Sequence, residues 1–484
     1  MCGADIVNAA GLSDIAQRFD EASGYDTAAR IQKRCAMELA DRIRRIFCGK
    51  SPKRILEFGC GTGFLTAELV RLFPHAEIVA TDIAPGMIRR AQSRLHVPNV
   101  RFEVMDAQRP KPDGRFDLIC SSLCLQWFTD RALGLARLAS QLSAAGRLMV
   151  TTLARGSFDE WRKACDTERV PCGFPTYPEP DALASDWPVN GHGKWDVVDL
   201  RDTPADGMTF LRELRDIGAT TPALHSRSAG IALRRVIRRF DSTMSGVTYK
   251  IAFGDFERHI PKGVFVTGTD TGVGKTLTSA CLVRAWHANY WKPLQTGLAE
   301  EDGDAPTVRS LARLSDNRMS PSAYALQAPL SPLAAAEMER ITIDPARFSL
   351  PSCSDTTPLV VEGAGGLLVP VTDDWMLIDL IALYGMPVVL VARSGLGTIN
   401  HTLLSIEALR ARAIPIAGVV LNGAPNPGNR AMIERFGHVR ILAEIPLLPS
   451  LTAEVIDERA QFMPPPDSIF GPDATLSTSN SEIA

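Results

Sequence analysis

Two glycine-rich loops, each following directly on a short apolar run, constrain this chain more than any other feature. The first is Leu56-Glu57-Phe58-Gly59-Cys60-Gly61-Thr62-Gly63; the second is Val264-Phe265-Val266-Thr267-Gly268-Thr269-Asp270-Thr271-Gly272-Val273-Gly274-Lys275-Thr276. An apolar run that breaks into glycines ahead of a helical pattern reads as a strand, a tight loop and a helix N-terminus, where backbone N–H groups can approach a ligand. Only the second loop ends in Lys-Thr, the pair that handles phosphate and Mg²⁺. The loops differ in length and chemistry, so they mark two different units rather than a duplication. A chain of 484 residues exceeds what one hydrophobic core organises, and two domains of about 200 to 250 residues fit the usual sizes.

The charge balance excludes several classes. A net charge of −3 provides no global positive field, so nucleic-acid binding has no electrostatic support and small molecules are the expected substrates. No stretch approaches the roughly 18 uninterrupted apolar residues of a membrane helix. Met1-Cys2-Gly3-Ala4-Asp5 lacks the charged and apolar regions of a signal peptide, and the expectation is a cytoplasmic protein without membrane contact. The ten cysteines are scattered, without a Cys-x-x-Cys pair; Cys120 and Cys124 read as reduced core thiols, a metal site being the competing reading.

Short β-like runs alternate with helical patterns through the first half, at residues 55–58, 78–81, 100–105, 117–121 and 147–152. The alternation predicts an α/β fold, a doubly wound parallel sheet that binds ligands at its strands' C-terminal ends. From Arg155 to Phe256 the pattern weakens into Pro- and Gly-punctuated loops with helical pieces at 210–217 and 231–240, where substrate-specific structure would be inserted. Strand patterns resume at 264–266, 359–361, 388–392, 417–421 and 441–443, predicting a second doubly wound parallel-sheet domain. The expected division is residues 1–258, 262–455 and, beyond the Met463-Pro464-Pro465-Pro466 run and into Ser/Thr/Asn-rich sequence, a disordered tail over 461–484. No long tether joins the two domains.

Asp82 closes the strand after the first loop, where a carboxylate can accept both ribose hydroxyls, and Asp106 closes the third, within reach of an adenine amino group. Each alone is equally readable as a helix cap or turn residue. The loop carries no lysine, and Glu57 would repel a pyrophosphate but suits the cationic end of S-adenosylmethionine. Glu57, Gly59, Gly61, Gly63, Asp82 and Asp106 resemble the motifs of class I methyltransferases, which implies a Rossmann-like domain. The segments Ser121-Ser122-Leu123-Cys124-Leu125-Gln126-Trp127-Phe128, Thr151 to Ser157 and Phe210 to Thr220 are similar to malonyl-acyl-carrier-protein O-methyltransferase of biotin synthesis, and Ile15 to Asp20 with Tyr25 fit that family's N-terminal lid. The resemblance implies methylation of the free carboxylate of a malonyl thioester, with no general base because that carboxylate is already ionised. Tyr25, Trp127 and Arg155 are the candidate substrate wall, Arg155 gripping the malonyl carboxylate; a core aromatic and a solvated loop charge are the alternatives for Trp127 and Arg155. Acyl carrier protein is acidic, and Arg234, Arg235, Arg238 and Arg239 on one predicted helix either dock it or form a solvated basic face.

The second loop is a phosphate-binding loop one residue longer than the usual spacing, and it calls for ATP or GTP: Gly272, Val273 and Gly274 wrap the phosphates, Lys275 neutralises them and Thr276 coordinates Mg²⁺. Glu362, ending a strand before Gly363-Ala364-Gly365-Gly366, and Asp304 are the candidate metal carboxylates; solvation is the competing reading for Asp304, which Glu300, Glu301 and Asp302 crowd. With Trp291-Lys292-Pro293-Leu294-Gln295-Thr296-Gly297, Gly397-Thr398-Ile399-Asn400-His401 and Val420-Leu421-Asn422-Gly423, the second half resembles dethiobiotin synthetase, which has the P-loop NTPase fold, over about residues 262–455. Two departures from the family are the short Thr276–Lys292 span and Ser394, where some relatives carry lysine. The resemblance implies ATP-dependent carboxylation and ring closure of 7,8-diaminopelargonate with CO₂, with Lys292 catalytic, Thr296 on the substrate, Gly363, Ala364 and Gly365 beside the nucleotide, Asn422 on the adenine, and a homodimer through the C-terminal domain. For His401 packing or helix capping is expected.

Both resemblances fall in biotin synthesis, and a bifunctional enzyme is the leading expectation. The rival is a methyltransferase-like scaffold fused to a P-loop switch or partitioning ATPase; such ATPases carry an early second lysine in the loop, where this chain has Thr269 and Asp270. A cobyrinate-type amidotransferase would need a glutaminase domain for which the tail has no room.

Overall fold

The computed structural model describes residues 12–22, 24–111, 115–219, 229–243, 246–351 and 356–470. The chain divides between Arg258 and His259 into two compact units. Each is an α/β sheet of seven strands.

In the N-terminal unit the strands are β1 (Arg54–Phe58), β2 (Glu77–Asp82), β3 (Val100–Val104), β4 (Phe116–Ser121), β5 (Leu142–Leu153), β6 (Gly191–Asp202) and β7 (Val247–Arg258), in the order β3-β2-β1-β4-β5-β7-β6. β1 to β5 are parallel. In β1, β2, β4 and β5 the Ile, Leu and Val side chains are buried, as in Ile55, Leu56, Ile78, Leu118 and Ile119, because helices cover the parallel part of the sheet; those of the edge strand β3 are half-buried or exposed. β7 and β6 depart from the parallel expectation. β7 lies antiparallel to β5, and β6 pairs with β7 from Gly191–Arg258 to Asp202–Val247. This long antiparallel pair, whose strands are joined through two helices, occupies the region read as loops. β6 escaped notice because it is an edge strand whose glycines and charges leave most of its residues exposed or half-buried.

Helices Gly207–Asp216 and Ala229–Thr243 lie where helical pieces were expected. Asp206 starts the first by accepting from Thr209 N (2.6 Å), satisfying one of the donors a helix start leaves unpaired. Phe158, Trp161, Phe174, Phe210 and Phe240 stack into one aromatic core, each buried ring contributing about 1.5–3 kcal/mol. Thr220, the last residue of the motif 210–220, lies outside the described residues.

In the C-terminal unit the strands are β8 (Gly263–Gly268), β9 (Asn289–Trp291), β10 (Leu294–Gln295), β11 (Met319–Ser320), β12 (Tyr324–Ala325), β13 (Leu359–Gly366), β14 (Val388–Arg393), β15 (Ile416–Asn422) and β16 (Ile441–Ile445). The main sheet runs β11-β9-β13-β8-β14-β15-β16, all parallel, with β10 and β12 paired apart from it. The strand whose length the short Thr276–Lys292 span left undetermined is three residues long.

Residues 461–470 do not belong to a disordered tail. Met463 and Ile469 are buried in the core, Trp286 Nε1 donates to Pro464 O (2.7 Å), and Phe470 meets the Trp286 ring edge-on at 5.6 Å. The proline run that suggested disorder here carries apolar residues into a groove. The remainder of the expected tail, 471–484, lies outside the described residues. Among the described residues no helix is long and apolar enough to cross a membrane.

Candidate functional site

β1 ends at Phe58 and the chain turns through Gly59 and Gly61 before the helix Phe64–Leu72. Gly59 has φ +63°, and a Cβ there would lie 2.5 Å from Cys124 Sγ, so both the backbone conformation and the space require glycine. Asp82, at the end of β2, accepts from Gly61 N and Ala84 N, both at 2.9 Å. It thus fastens the loop while facing a cleft of about 680 Å³ that Gly59, Gly61, Asp82 and Asp106 line together. Burial raises the Asp82 carboxyl above the usual range. Asp106 also accepts from Gln108 N (2.9 Å), so the turn role and the cleft position coexist.

The opening helix closes one side. Ile15, Phe19 and Tyr25 line the cleft with Trp127; Phe19 meets Trp127 edge-on at 5.6 Å, and Tyr25 stacks on Phe64 at 6.3 Å. Arg90, which sequence reasoning passed over, anchors this helix by donating to the carbonyls of Phe19 and Ala22, and Gly86 N donates to Asp20 Oδ1 (2.6 Å). Nothing local in the sequence signals an arginine that works on a segment some seventy positions away.

Two expectations fail here. Glu57 does not line the cleft: it is 1 % exposed, its Oε2 has no hydrogen-bond partner, and burial pushes its carboxyl up to about 8. A carboxyl mostly protonated at neutral pH supplies no counter-charge to a sulfonium. Arg155 does not line it either, but pairs with Glu179 at 3.1 Å with both side chains largely exposed. No lysine, arginine or histidine is among the lining residues described. Arg234, Arg235, Arg238 and Arg239 are exposed, opposite the buried Val236 and Phe240, and Arg235 pairs with Glu168 at 3.3 Å.

In the C-terminal unit the loop after β8 leads into the helix Lys275–Trp286, with Gly274 (φ +94°) at its N-cap. A Cβ on Gly274 would lie 2.1 Å from Asn422 Nδ2, and that amide donates to Val273 O (2.7 Å) and Gly274 O (3.3 Å). Asn422, at the end of β15, therefore braces the loop and keeps a buried Oδ1 without a partner.

Four expected residues converge beside the loop. Thr276 Oγ1 donates to Asp304 Oδ1 (2.5 Å) and lies 3.1 Å from Glu362 Oε1. Lys292 Nζ lies 2.6 Å from Asp304 Oδ2 and 3.1 Å from Glu362 Oε1, and donates to Gly363 O (3.3 Å). Burial opposes the Lys292 charge, but Glu362 and Asp304 more than offset it and hold the ammonium above the ordinary lysine value. Asp304 is held below its usual range, Lys292 overcoming the effect of burial. Lys275 is pushed down by burial and then by Lys292, and feels Glu362 and Asp304 as well. Both lysines thus share one electrostatic site.

Tyr290 was missed: its hydroxyl donates to Glu362 Oε2 (3.0 Å) inside the core. Its signal was the spacing of two from Lys292, which puts alternate residues on one face. Gln295 Oε1 accepts from Asp304 N (3.1 Å), tying the residue before Thr296 to the start of the helix Asp304–Ala312. An open, polar cleft of about 1010 Å³ passes over Thr276 and Asp304, with Glu300, Glu301 and Asp302 along it. Gly363, Ala364 and Gly365 continue β13, with a register shift between Glu362 and Gly366. His401 is exposed in the first turn of the helix Thr398–Arg410, so packing does not account for it. Thr276, Asp304 and Glu362 are hard oxygen donors that fit Mg²⁺, which keeps waters and phosphate oxygens for its other positions. Among the described residues no group of three or more His, Cys, Asp or Glu side chains could hold a metal alone.

Residues 55–146 match the family model of a methyltransferase domain and residues 262–455 that of an AAA domain. The chain is 49 % identical over 465 residues to the biotin biosynthesis bifunctional protein BioCD of Bordetella avium, an alignment covering 95 % of this chain and 98 % of that protein. Its second half is 53 % identical over 205 residues to the ATP-dependent dethiobiotin synthetase BioD of Paramagnetospirillum magneticum, covering 42 % of this chain and 96 % of that protein. The corresponding synthetase of Agrobacterium fabrum is 51 % identical over 193 residues, covering 40 % of this chain and 90 % of its own.

Proposed function

This chain belongs to the family of bifunctional biotin-biosynthesis proteins, joining a methyltransferase that uses S-adenosylmethionine to an ATP-dependent dethiobiotin synthetase, and we propose the substrates and residues through which each half works. The expectation of a scaffold fused to a switch ATPase gives way to this two-enzyme reading.

The C-terminal half takes 7,8-diaminopelargonate, CO₂ and ATP. The observation that carries this reading is the convergence of Lys292, Asp304, Glu362 and Thr276 next to Lys275. A carbamate and its phosphoric anhydride are anions; Lys292 and Lys275, preorganised in a buried site, stabilise the charge shared between them. Thr276, Asp304 and Glu362 hold Mg²⁺, which supplies further neutralisation of the triphosphate. Gly272, Val273 and Gly274 present backbone N–H groups to the phosphates, Gly363, Ala364 and Gly365 flank the nucleotide, and Asn422 reaches the adenine with its unpaired Oδ1. The acidic wall of Glu300, Glu301 and Asp302 favours the ammonium groups of a diamine, with Thr296 beside it.

The N-terminal half methylates the free carboxylate of malonyl-acyl-carrier protein. Asp82 and Asp106 take the ribose and adenine of the methyl donor, and Gly59, Gly61 and Gly63 let it approach the backbone. A carboxylate oxygen forms the new O–C bond as the C–S bond breaks, the sulfur leaves as a neutral thioether, and no proton moves. The lining without basic side chains suits this chemistry, because an arginine on the carboxylate would weaken it as a nucleophile while the sulfonium already attracts it. Tyr25 and Trp127 close the site and exclude water.

The protein is read as cytoplasmic, as a homodimer through the C-terminal domain, and as binding acyl carrier protein through the exposed arginines of the helix Ala229–Thr243. The deciding experiment is separate complementation of two biotin auxotrophs, one blocked in each step. Lys292→Ala is expected to rescue only the methyltransferase-deficient strain; rescue of both would remove Lys292 from the ligase chemistry.

A further inference from the structure

Beside the methyl-donor cleft lies a second cavity, of about 660 Å³, lined in part by the segments 121–128 and 210–219. Leu153, Phe158, Phe174 and Leu214 form its apolar wall, with the rings of Tyr177 and Tyr249. It sits under the segment inserted between β5 and β7, where the fold departs from a plain parallel sheet.

Leu123 and Trp127 line both cavities, so they form the partition between them. Leu123 has φ +55°, a conformation that a side chain larger than glycine adopts rarely. Two bonds hold it there: Leu123 N donates to Thr151 Oγ1 (2.8 Å) and Gln126 Nε2 donates to Leu123 O (2.6 Å). A residue held in a sparsely populated conformation by its surroundings is a feature of ligand sites. Gln126 also lines the second cavity, and its Oε1 is buried without a hydrogen-bond partner. An unpaired buried acceptor of this kind is unfavourable, and a ligand N–H would relieve it.

We propose that this cavity is the acceptor site, holding the uncharged, amide-bearing thioester arm of the malonyl substrate, with Gln126 Oε1 accepting an arm N–H and the malonyl carboxylate delivered past Leu123 and Trp127 to the methyl donor. This rests on the methyltransferase reading above. The apolar wall takes the thioester and methylene stretches, and the occupied arm shields the reacting carboxylate from water, in line with the sulfonium. The free carboxylate needs no cation at the partition, and none of the lining residues of either cavity is one.

The test fills the cavity from its Ala219 side. Ala219→Trp and the smaller Ala219→Phe are assayed with malonyl-pantetheine as the acceptor, alongside calorimetric binding of S-adenosylhomocysteine. The expected result is a KM for malonyl-pantetheine at least about tenfold higher, with nucleoside affinity within about twofold of the parent, and Gln126→Leu raising KM less steeply at nearly unchanged kcat. Retained nucleoside affinity certifies that a variant is folded, and Ala219→Phe keeps the test available should the tryptophan variant not fold. Unchanged KM in folded Ala219 variants overturns the acceptor site while leaving the methyltransferase reading intact, since the parent still turns over. A parent chain that binds S-adenosylhomocysteine but never methylates malonyl-pantetheine or malonyl-acyl-carrier protein overturns both.

Discussion

The two sites use the same device, a glycine turn at the end of a parallel strand, and surround it with opposite charge. Around the first, the described lining carries Asp82 and Asp106 and no basic side chain. Around the second, Lys275 and Lys292 lie among Asp304, Glu362 and Thr276. The difference follows the reacting species. A sulfonium arrives with its own positive charge, so its site needs shape and dryness; a phosphorylated carbamate gathers negative charge that the protein must meet. Backbone geometry is therefore shared, and the chemistry lies in the side chains that the strand ends deliver.

The largest expected effect tests the cationic half of that contrast. Lys292→Ala should lower dethiobiotin formation by about 10²–10³-fold or more while methyl transfer by the same chain is unchanged. It also leaves Glu362 buried beside a lost partner, and breaking a buried pair costs about 3–5 kcal/mol, readable in the denaturation midpoint of the C-terminal unit. Equal loss of both activities would mean that the two sites are not separable.

Next is the acidic half. Asp82→Asn keeps the shape but weakens the hold on Gly61 N and the ribose, and should raise the Kd for S-adenosylmethionine about 10- to 100-fold, or about 1.4–2.7 kcal/mol, with ATP affinity untouched. An unchanged Kd in titration calorimetry would remove Asp82 from the donor site.

Opposite in sign between the units is the pH dependence. Glu57 is protonated in the fold up to about 8, whereas an unfolded glutamate ionises near its ordinary value of about 4.3. Between those values the folded state holds the extra proton, so the N-terminal unit loses stability as pH rises through the window, by on the order of 1 kcal/mol per pH unit. Glu57→Gln should flatten that decline in urea titrations from pH 5 to 8. Asp304, held low by Lys292, acts the other way: its contribution is present above about pH 3.9 and is lost only as pH falls further. Parallel pH profiles of wild type and Glu57→Gln would show that the carboxyl is not buried as described.

The smallest expected effect checks the charge that sequence reasoning misplaced. Arg155→Ala should change the malonyl KM by less than about twofold, since the exposed Arg155 lines neither cavity and its pair with Glu179 lies at the surface. A tenfold rise would return Arg155 to the substrate wall.

The elements and residues legible in the chain share one property: they depend on neighbours close in sequence. Strands 55–58 and 264–266, the glycine turns, and Asp82 closing β2 follow from local pattern, and a parallel sheet then carries strand ends to one edge; Glu362, expected to end its strand, lies inside β13, which runs on to Gly366. Lys292 was legible only through its motif, and the fold sets its ammonium between Asp304 and Glu362. Arg90 was not legible, because it acts on a segment that the fold, not the sequence, brings near; Tyr290 showed only through its spacing from Lys292, and Gln126 stood in the segment 121–128 with no role of its own. β6 went unseen for a local reason: an edge strand with polar residues has no hydrophobic alternation strong enough to declare itself.

From the amino-acid sequence alone come the two-enzyme organisation, the phosphate loop with its Lys275 and Thr276, and Asp82 at the end of its strand. Those depend on short-range spacing, which the chain carries whatever it later packs against. Only the tertiary structure decided that Glu57 is neutral and behind its loop, that Arg155 points to solvent, and that Lys292 stays charged between two carboxylates. Ionisation depends on burial and on partners tens to hundreds of positions away, and those distances exist only once the chain has folded.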